Sequence, residues 1–317
     1  MFNPRYQAFA EFGMRRYSRR SRSRFGNVRM VPFELEEPAS VAEALALLDS
    51  EDPAVRSIAG GTALMLMMKS GLYVPRRLVS LRRMAPGLGR IRTEPDGTLE
   101  IGALVPLAEL QRSAAARAAA PVIADTLRTH SNLRVRNVAT IGGNLAHADP
   151  HMDLPPVLIA LGAHVRTIGP AGAREIAVED LFTGYLETVL ANDELIASVL
   201  VPSQPPGRRA AYLKCTARVA DDWPALGIAV SFVMEADRLL EPRIALGAAT
   251  ETAMRLRETE TLLASRRFDD TLLREIGRSA AAEAPVIGGH HGSAAYKRVL
   301  VDVYLPRVVQ KALAGTA

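Results

Sequence analysis

The spacing of apolar residues switches between helical and strand periods along the chain, and these switches mark the predicted elements. Helices are predicted over residues 41–48, 63–69, 107–119, 121–130 and 153–161. Ser40, with Glu43 three residues on, predicts a capping box at the start of the first helix. Strands are predicted over residues 55–59, 78–81, 164–168, 175–178 and 195–201. Asp96-Gly97 lies between two apolar runs and predicts a β-hairpin over residues 91–101. Alternating strands and helices favour an α/β or α+β first domain.

A second pattern follows Gln204-Pro205-Pro206-Gly207, the strongest boundary signal in the chain. Antiparallel strands are predicted over residues 210–214, 225–235 and 241–249, followed by helices over 258–264, 270–284 and 296–312. We therefore expect three parts, a basic and flexible extension over 1–30, a first domain over 31–206 and a C-terminal α+β domain over 207–317.

Charge is distributed unevenly between these parts. Residues 1–30 hold eight arginines and one acidic residue, Glu11, whereas the rest holds 31 basic and 33 acidic residues. The formal net charge of +5 therefore describes the extension and not the folded part, which argues against nucleic-acid binding. An Arg- and Ser-rich extension is typical of a solvated arm or a transit peptide, and Met30 is an alternative start.

Two absences in the sequence limit the function further. No run of 18 apolar residues and no secretory signal is present, so we expect a cytoplasmic protein without a membrane span. Cys215 is the only cysteine, which excludes an internal disulfide, a CxxC redox pair and an iron–sulfur cluster held by this chain alone.

Two glycine-paired segments are the candidate chemistry. In the first, Ala59-Gly60-Gly61-Thr62-Ala63-Leu64, a strand runs into two glycines and then a helix. The second, Thr140-Ile141-Gly142-Gly143-Asn144, is interpreted by the same logic as a glycine-paired turn. Glycine lets backbone N–H groups approach a ligand closely, and a helix start adds free donors for phosphate. The chain has neither GxxxxGK[ST] nor GxGxxG, so a P-loop and a Rossmann site are disfavoured. Two such segments predict a grip on both phosphates of a dinucleotide.

With these segments the chain resembles the FAD-binding subunit of the molybdenum hydroxylases, which include carbon monoxide dehydrogenase, xanthine dehydrogenase and 4-hydroxybenzoyl-CoA reductase. The resemblance rests on residues 59–64, on the long segment 136–150, on Asp153-Leu154-Pro155 and on residues 292–298, and it extends from about 31 to 314. It implies a two-part FAD-binding domain of the p-cresol methylhydroxylase superfamily type, followed by a C-terminal domain with an antiparallel sheet and helices: an α+β fold.

The resemblance also implies roles for individual residues. Residues Ala59, Gly60, Gly61, Thr62, Ala63 and Leu64 should line the pyrophosphate, and Thr140, Ile141, Gly142, Gly143 and Asn144 should contact the phosphate and ribityl groups. Asp153 should accept hydrogen bonds from FAD hydroxyls, and Ile196 should meet the isoalloxazine. Lys214 should lie near the flavin ring, where a cation favours negative charge on the reduced flavin, or else on a strand surface. Trp223 stands where relatives often place an aromatic residue near the flavin, or it is a core or interface residue.

In such complexes a large molybdopterin subunit oxidises the substrate, and a small subunit carries two [2Fe–2S] clusters. This chain should be the electron-transferring flavoprotein of an oxidoreductase, in a dimer of heterotrimers, with no catalytic residue of its own for substrate oxidation. A cluster-bearing insertion found in some 4-hydroxybenzoyl-CoA reductase relatives is absent after the second segment. The final acceptor and the substrate stay open.

Three alternatives remain. A stand-alone FAD-dependent oxidoreductase of the same fold would need its own acid and substrate-binding arginines, and an assembly module would have lost its flavin. A metal site at His147 and His151 with Asp149 and Asp153 is disfavoured because Pro150 interrupts the helical spacing, so no metal is expected. His290-His291 is interpreted as a solvated polar loop.

Overall fold

The computed structural model describes residues 30–315, and the predicted basic extension therefore lies outside the described residues apart from Met30. Within this range the chain is an α+β protein with three main sheets. The strands are β1 (Glu34–Glu36), β2 (Val55–Ile58), β3 (Arg77–Ser80), β4 (Ile91–Thr93), β5 (Leu99–Gly102), β6 (His164–Gly169), β7 (Gly172–Ala177), β8 (Phe182–Gly184), β9 (Glu187–Thr188), β10 (Leu195–Val201), β11 (Arg208–Thr216), β12 (Pro224–Glu235), β13 (Arg238–Gly247) and β14 (Met254–Arg255).

The first sheet is parallel, in the order β1-β3-β2, and positions the first glycine segment. Helix Val41–Leu47 precedes β2, and its start is the capping box expected from the sequence. The Ser40 side chain accepts from the Glu43 N–H, and the Glu43 carboxylate accepts from the Ala39 N–H at 2.7 Å. Helix Leu64–Lys69 follows β2 and ends before Gly71, whose φ of +72° is the left-handed conformation expected of a helix terminator.

The second sheet is antiparallel, in the order β4-β5-β10-β6-β7. The predicted hairpin is confirmed, with Gly97 at its turn (φ +86°). Helices pack against this sheet and enclose the largest apolar core of the described residues. They are Leu107–Arg112, Ala114–Ala119, Pro121–Leu127, Ile141–His147 and Leu154–Ala160. Two four-residue helices, Ala85–Leu88 and Leu133–Arg136, lie outside that core.

The third sheet, β11-β12-β13-β14, lies between two layers of helices. Alternate residues of β12 enter different cores: Ile228, Val230 and Phe232 pack with the C-terminal helices, whereas Ala229 faces the core around helix Leu154–Ala160. Small side chains on that second face let the helix approach, and the Ser231 hydroxyl donates to the Ala160 carbonyl at 2.6 Å. The C-terminal helices are Arg257–Ser265, Asp270–Glu283 and Ala294–Ala314.

Two sequence-based predictions of local structure are wrong. The alanine-rich helix over 107–119 is two helices, because Ser113 leaves the helical conformation (ψ 123°) and its side chain caps the second helix at the Ala116 N–H. The second glycine pair does not form a turn after a strand. Gly142 and Gly143 lie in the first turn of helix Ile141–His147, which Thr140 caps. Among the described residues, no helix is long and apolar enough to span a membrane.

Candidate functional site

A cleft of about 460 Å³ opens between the two glycine segments and extends to the third sheet. The predicted site residues are drawn from six separate stretches of sequence, and all but one line this cleft. Those that line it are Ala59, Gly60, Gly61, Thr62, Ala63, Leu64, Thr140, Gly142, Gly143, Asn144, Asp153, Ile196, Lys214 and Trp223. Ile141 does not line it, because its fully buried side chain belongs to the core beneath the helix.

The first glycine segment presents unpaired donors to the cleft. Within residues 30–315, the backbone N–H groups of Gly60, Gly61, Thr62 and Ala63 have no hydrogen-bond acceptor from the protein. Gly61 takes a positive φ of +69°, which turns the chain from β2 into helix Leu64–Lys69 and which L side chains rarely adopt. A run of unsatisfied amides beside a cavity is a binding surface for an anion or an oxygen-rich group.

The second glycine segment behaves differently, because the protein itself uses its backbone donors. The N–H groups of Ile141, Gly142 and Gly143 donate to the Val105 carbonyl, the Ala103 carbonyl and the Thr140 hydroxyl, at 3.1, 2.9 and 3.1 Å. The first two bonds fasten the helix start to the segment that follows β5, and the third is the N-cap of the helix itself. The expectation that both segments offer free amides by the same logic is therefore wrong for the second.

The glycines of the second segment instead permit close packing. A Cβ on Gly142 would lie 2.6 Å from the Ala103 Cβ, and a Cβ on Gly60 would lie 2.1 Å from the Val138 carbonyl oxygen. Gly60 thus lets the first segment rest directly on the backbone that leads into the second. Gly143 faces the cleft, where an added Cβ would lie 3.0 Å from the Thr140 hydroxyl and 4.0 Å from the Ala59 methyl group.

Asn144 supplies an unsatisfied acceptor in the lining of the same cleft. Its side chain is buried, its amide nitrogen lies 3.1 Å from the Met152 sulfur, and its Oδ1 atom has no hydrogen-bond partner among the described residues. A buried carbonyl oxygen without a partner costs free energy, which is recovered when a ligand donates to it. The unpaired oxygen and the free amides of residues 60–63 both suit a ligand with hydroxyl donors and anionic acceptors.

A buried carboxylate organises the far end of the cleft. Asp153 is 2% exposed and receives three protein groups: the His130 Nδ1 atom and the Tyr212 hydroxyl at 2.7 Å each, and the Lys214 ammonium at 3.2 Å. Lys214 also donates to the Thr129 carbonyl. Burial and then the Asp153 charge raise the pKa of Tyr212 well above its usual range, so Tyr212 stays a hydrogen-bond donor.

Sequence reasoning missed His130 and Tyr212 as site residues. Tyr212 precedes Lys214 by two residues in a strand, which places both side chains on one face, and this signal was present in the sequence. No spacing in the sequence connects His130 with Asp153, because helix Pro121–Leu127 and the turn at Ser131 (φ +53°) bring it there.

Trp223 lies at the rim of the cleft and is 48% exposed. Its ring is 5.4 Å from the His151 ring and 6.5 Å from the His291 ring, and the two histidine rings are 5.4 Å apart. We call Trp223, His151 and His291 the aromatic rim. His291 is therefore packed against other rings and not simply solvated, as the His290-His291 pair was interpreted. Burial first, then the nearby His151 and Lys297 charges, lower the pKa of His291.

The buried Asp149 carboxylate fixes His151, one member of the aromatic rim. Its Oδ1 atom lies 2.9 Å from both the backbone nitrogen and the Nδ1 atom of His151. Burial raises the pKa of Asp149, but the hydrogen bond and charge of His151 outweigh burial and leave that pKa lowered. Burial, with a contribution from Asp149, raises the pKa of Tyr185 to about 12.

His147 and His151 do not share a helix. Helix Ile141–His147 ends between them, and Ala148 takes a left-handed conformation (φ +53°). Burial lowers the pKa of His147, whose Nε2 atom is 4.0 Å from Asp149. Across the described residues, no group of three or more His, Cys, Asp or Glu side chains is arranged to hold a metal ion.

Comparison with known proteins finds two families that match this chain. The family described as the FAD binding domain in molybdopterin dehydrogenase matches residues 31–204, and the CO dehydrogenase flavoprotein C-terminal domain matches residues 211–312. The carbon monoxide dehydrogenase medium chain of Afipia carboxidovorans is 32% identical over 288 residues, covering 90% of this chain and 99% of the relative. The nicotine 6-hydroxylase medium subunit of Paenarthrobacter nicotinovorans is 32% identical and is covered to 96%, over 88% of this chain.

Solved structures agree with the sequence relatives. The carbon monoxide dehydrogenase of Hydrogenophaga pseudoflava that lacks the Mo-pyranopterin moiety superposes with a TM-score of 0.87 at 32% identity, over 91% of this chain and 100% of the other. Quinoline 2-oxidoreductase of Pseudomonas putida 86 superposes with a TM-score of 0.83 at 27% identity, over 90% of this chain and 98% of the other.

Proposed function

Since the chain belongs to the FAD-binding subunits of the molybdenum hydroxylases, we propose that it binds one FAD in the cleft between its glycine segments and passes electrons from partner [2Fe–2S] clusters to an external acceptor. One observation carries the proposal: residues 60–63, whose N–H groups are unpaired, line the same cleft as Asn144, whose buried side-chain oxygen is also unpaired. When bound, FAD supplies the redox chemistry, and the protein supplies orientation and electrostatics.

The first segment would hold the pyrophosphate. Its four free amides can donate to phosphate oxygens, and charge-assisted hydrogen bonds of this kind are about twice as strong as neutral ones. The Thr62 side chain, which lines the same wall, can add a hydroxyl. The second segment contributes through Asn144 and through the open face of Gly143, because its own amides are already bonded.

Asp153 and Lys214 would act at the ring end of the cofactor as a unit. Asp153 already has three protein partners, which favours a role in fixing Lys214 over the expected role as an acceptor for FAD hydroxyls. The carboxylate also offsets much of the lysine charge at 3.2 Å, so the net positive field at the cleft is weaker than that of a free lysine. Ile196 of β10 gives this end an apolar wall.

The proposed partners are those that membership of this family implies: a small [2Fe–2S] subunit and a large molybdopterin subunit, joined with this chain in a dimer of heterotrimers. The single cysteine fits this arrangement. Within the described residues Cys215 is free, and one thiol cannot ligate a [2Fe–2S] cluster. A reducing compartment, the cytoplasm, suits a chain with one free thiol.

The variant Gly61→Ala tests the phosphate cradle. A methyl group at φ +69° strains the backbone by about 1 kcal/mol and turns the neighbouring amides away from the cleft. We expect FAD affinity to fall at least about tenfold, the equivalent of one charge-assisted hydrogen bond. The measurement is titration of the purified chain with FAD, followed by the visible absorbance and fluorescence of the flavin.

Gly71→Ala is the matched control. Gly71 has nearly the same conformation, φ +72°, at the other end of the same helix, and a methyl group there meets no atom within 4 Å. Gly61→Ala should lose somewhat more stability, because its added methyl group lies 3.1 Å from the Ile58 Cδ1 atom, but only Gly61→Ala should lose FAD affinity. Equal affinity in the two variants, or a wild-type chain that takes up no FAD, would refute the proposal.

A further inference from the structure

Lys297 is a buried cation that the proposed site does not use. Its side chain, in the helix Ala294–Ala314, is 2% exposed, and its ammonium donates to the Ala248 carbonyl at 2.7 Å. Within residues 30–315 no carboxylate lies within 4.0 Å of it. Burying a charge without a counter-ion is costly, and burial lowers the pKa of this lysine. The free-energy cost of burying this ammonium raises the question of what its hydrogen bond to Ala248 does.

Its partner, Ala248, is itself held in an unusual conformation. Ala248 has a φ of +64°, a left-handed conformation that costs an alanine about 1 kcal/mol or more. Its N–H donates to the Pro150 carbonyl at 2.7 Å, while its own carbonyl accepts from Lys297. Both backbone polar groups of Ala248 are thus hydrogen-bonded, the carbonyl to Lys297 in the last helix and the N–H to Pro150 in the loop 148–151.

Pro150 connects this pair to the aromatic rim. It lies between Asp149 and His151, and Asp149 fixes His151 by two contacts of 2.9 Å. His151 packs on Trp223 and on His291, six residues before Lys297 and joined to its helix by a short turn. A continuous series of contacts therefore links Lys297 to Ala248, Ala248 to Pro150, and the loop that holds Pro150 to the aromatic rim. The rim residue His291 leads back to the helix that carries Lys297.

We propose that Lys297 is a positioning residue, which fixes the aromatic rim and the loop 148–151 through the strained carbonyl of Ala248. We call the hydrogen bond from the Lys297 ammonium to the Ala248 carbonyl the clamp. By fixing that carbonyl, it orients the Ala248 N–H toward the Pro150 carbonyl. The consequence for FAD rests on the function proposed above, whereas the consequence for the rim does not.

Tryptophan fluorescence of the chain measures the environment of the aromatic rim, because Trp223 is its only tryptophan. Lys297→Met keeps the apolar stem and removes the donor. In the FAD-free protein we expect acrylamide quenching of Trp223 fluorescence to rise about twofold as the rim opens locally. In FAD titrations we expect affinity to fall about threefold to tenfold. Arg298→Met, at the exposed neighbouring position of the same helix, should change neither quantity.

Gly71→Ala separates a general loss of stability from loss of the clamp. It is a destabilised variant at a position that does not line the cleft, and it should keep wild-type quenching. Should Lys297→Met not fold, Lys297→Gln takes its place, because its neutral amide keeps a polar end but stops one bond short of the lysine nitrogen. Wild-type quenching in the folded Lys297 variant would overturn the clamp. If a Lys297 variant shows changed quenching but binds FAD as the wild type does, the clamp stands and only its effect on the cofactor is refuted. If the wild-type chain takes up no FAD, the proposed function is refuted and the clamp is not.

Discussion

At the scale of single residues, the Asp153 carboxylate is the buried charge around which the polar side chains at one end of the site are arranged. Its three partners come from a helix turn and from one strand, and each of them is buried or nearly so. Such a network is stable only while every member is satisfied, since a cation left without its partner keeps its full desolvation cost.

Asp153→Asn should therefore destabilise the chain by about 3 kcal/mol or more, because it leaves Lys214 buried without a counter-charge. Urea denaturation followed by circular dichroism measures the difference. Asp125→Asn breaks a surface pair with Arg128 at 3.7 Å and should cost less than about 1 kcal/mol.

A second substitution tests the reason for that loss. Adding Lys214→Met to Asp153→Asn removes the unpaired cation, so the double variant should recover part of the lost stability. A double variant that is less stable by the sum of the two single effects would show that the carboxylate and the ammonium act independently.

At the scale of elements, helix Ile141–His147 separates two functions that its adjacent glycines share in the sequence. Gly142 faces the end of β5, where a methyl group would lie 2.9 Å from the Ala103 carbonyl oxygen, and Gly143 faces the cleft. A glycine pair that looks uniform in sequence thus contains one packing residue and one cleft residue.

Gly142→Ala should lower the free energy of unfolding by about 1–3 kcal/mol through overpacking. Gly143→Ala should leave stability near its wild-type value, because alanine favours helix and its methyl group enters the cleft beside Thr140. It should instead weaken FAD binding. Thermal melting and FAD titration of both variants test this separation, and reversed effects would contradict the assignment.

The elements also show where sequence patterns stop being informative. The capping box at Ser40, the hairpin at Gly97 and the long strand β12 are set by local chemistry and are confirmed. The break at Ser113 was missed, because alanine-rich sequence suits helix on both sides and only packing decides where it bends. The position of Gly142-Gly143 was misjudged for a related reason: glycine is uncommon inside helices, but here close contact with Ala103 requires it.

At the scale of the whole molecule, the cleft is assembled from residues between 56 and 224, and its rim reaches His291. Family membership, the α+β fold, FAD as cofactor and the oxidoreductase class are confirmed by the matching families and structures. The domain boundaries near residue 206 and the individual FAD contacts stay predictions, as do the path of electrons and the composition of the complex.

If the iron–sulfur clusters and the molybdenum belong to the partner subunits, the metal content of the purified protein should depend on whether those subunits are present. A tagged chain produced together with its two proposed partners should purify with iron and molybdenum, whereas the chain produced alone should bind FAD and contain neither metal. Elemental analysis of both preparations measures this difference. Stoichiometric iron in the chain produced alone would contradict the inference drawn from its single cysteine.

By itself, the sequence determined the family, the kind of cofactor and the order of most elements, because glycine segments, caps and apolar periods are local properties of the chain. Only the tertiary structure decided which glycine amides are free, that His130 and Tyr212 share a carboxylate with Lys214, and that Lys297 lies beneath Ala248. These facts depend on contacts between residues 23 to 61 positions apart, and local patterns carry no information about which distant donor meets which acceptor.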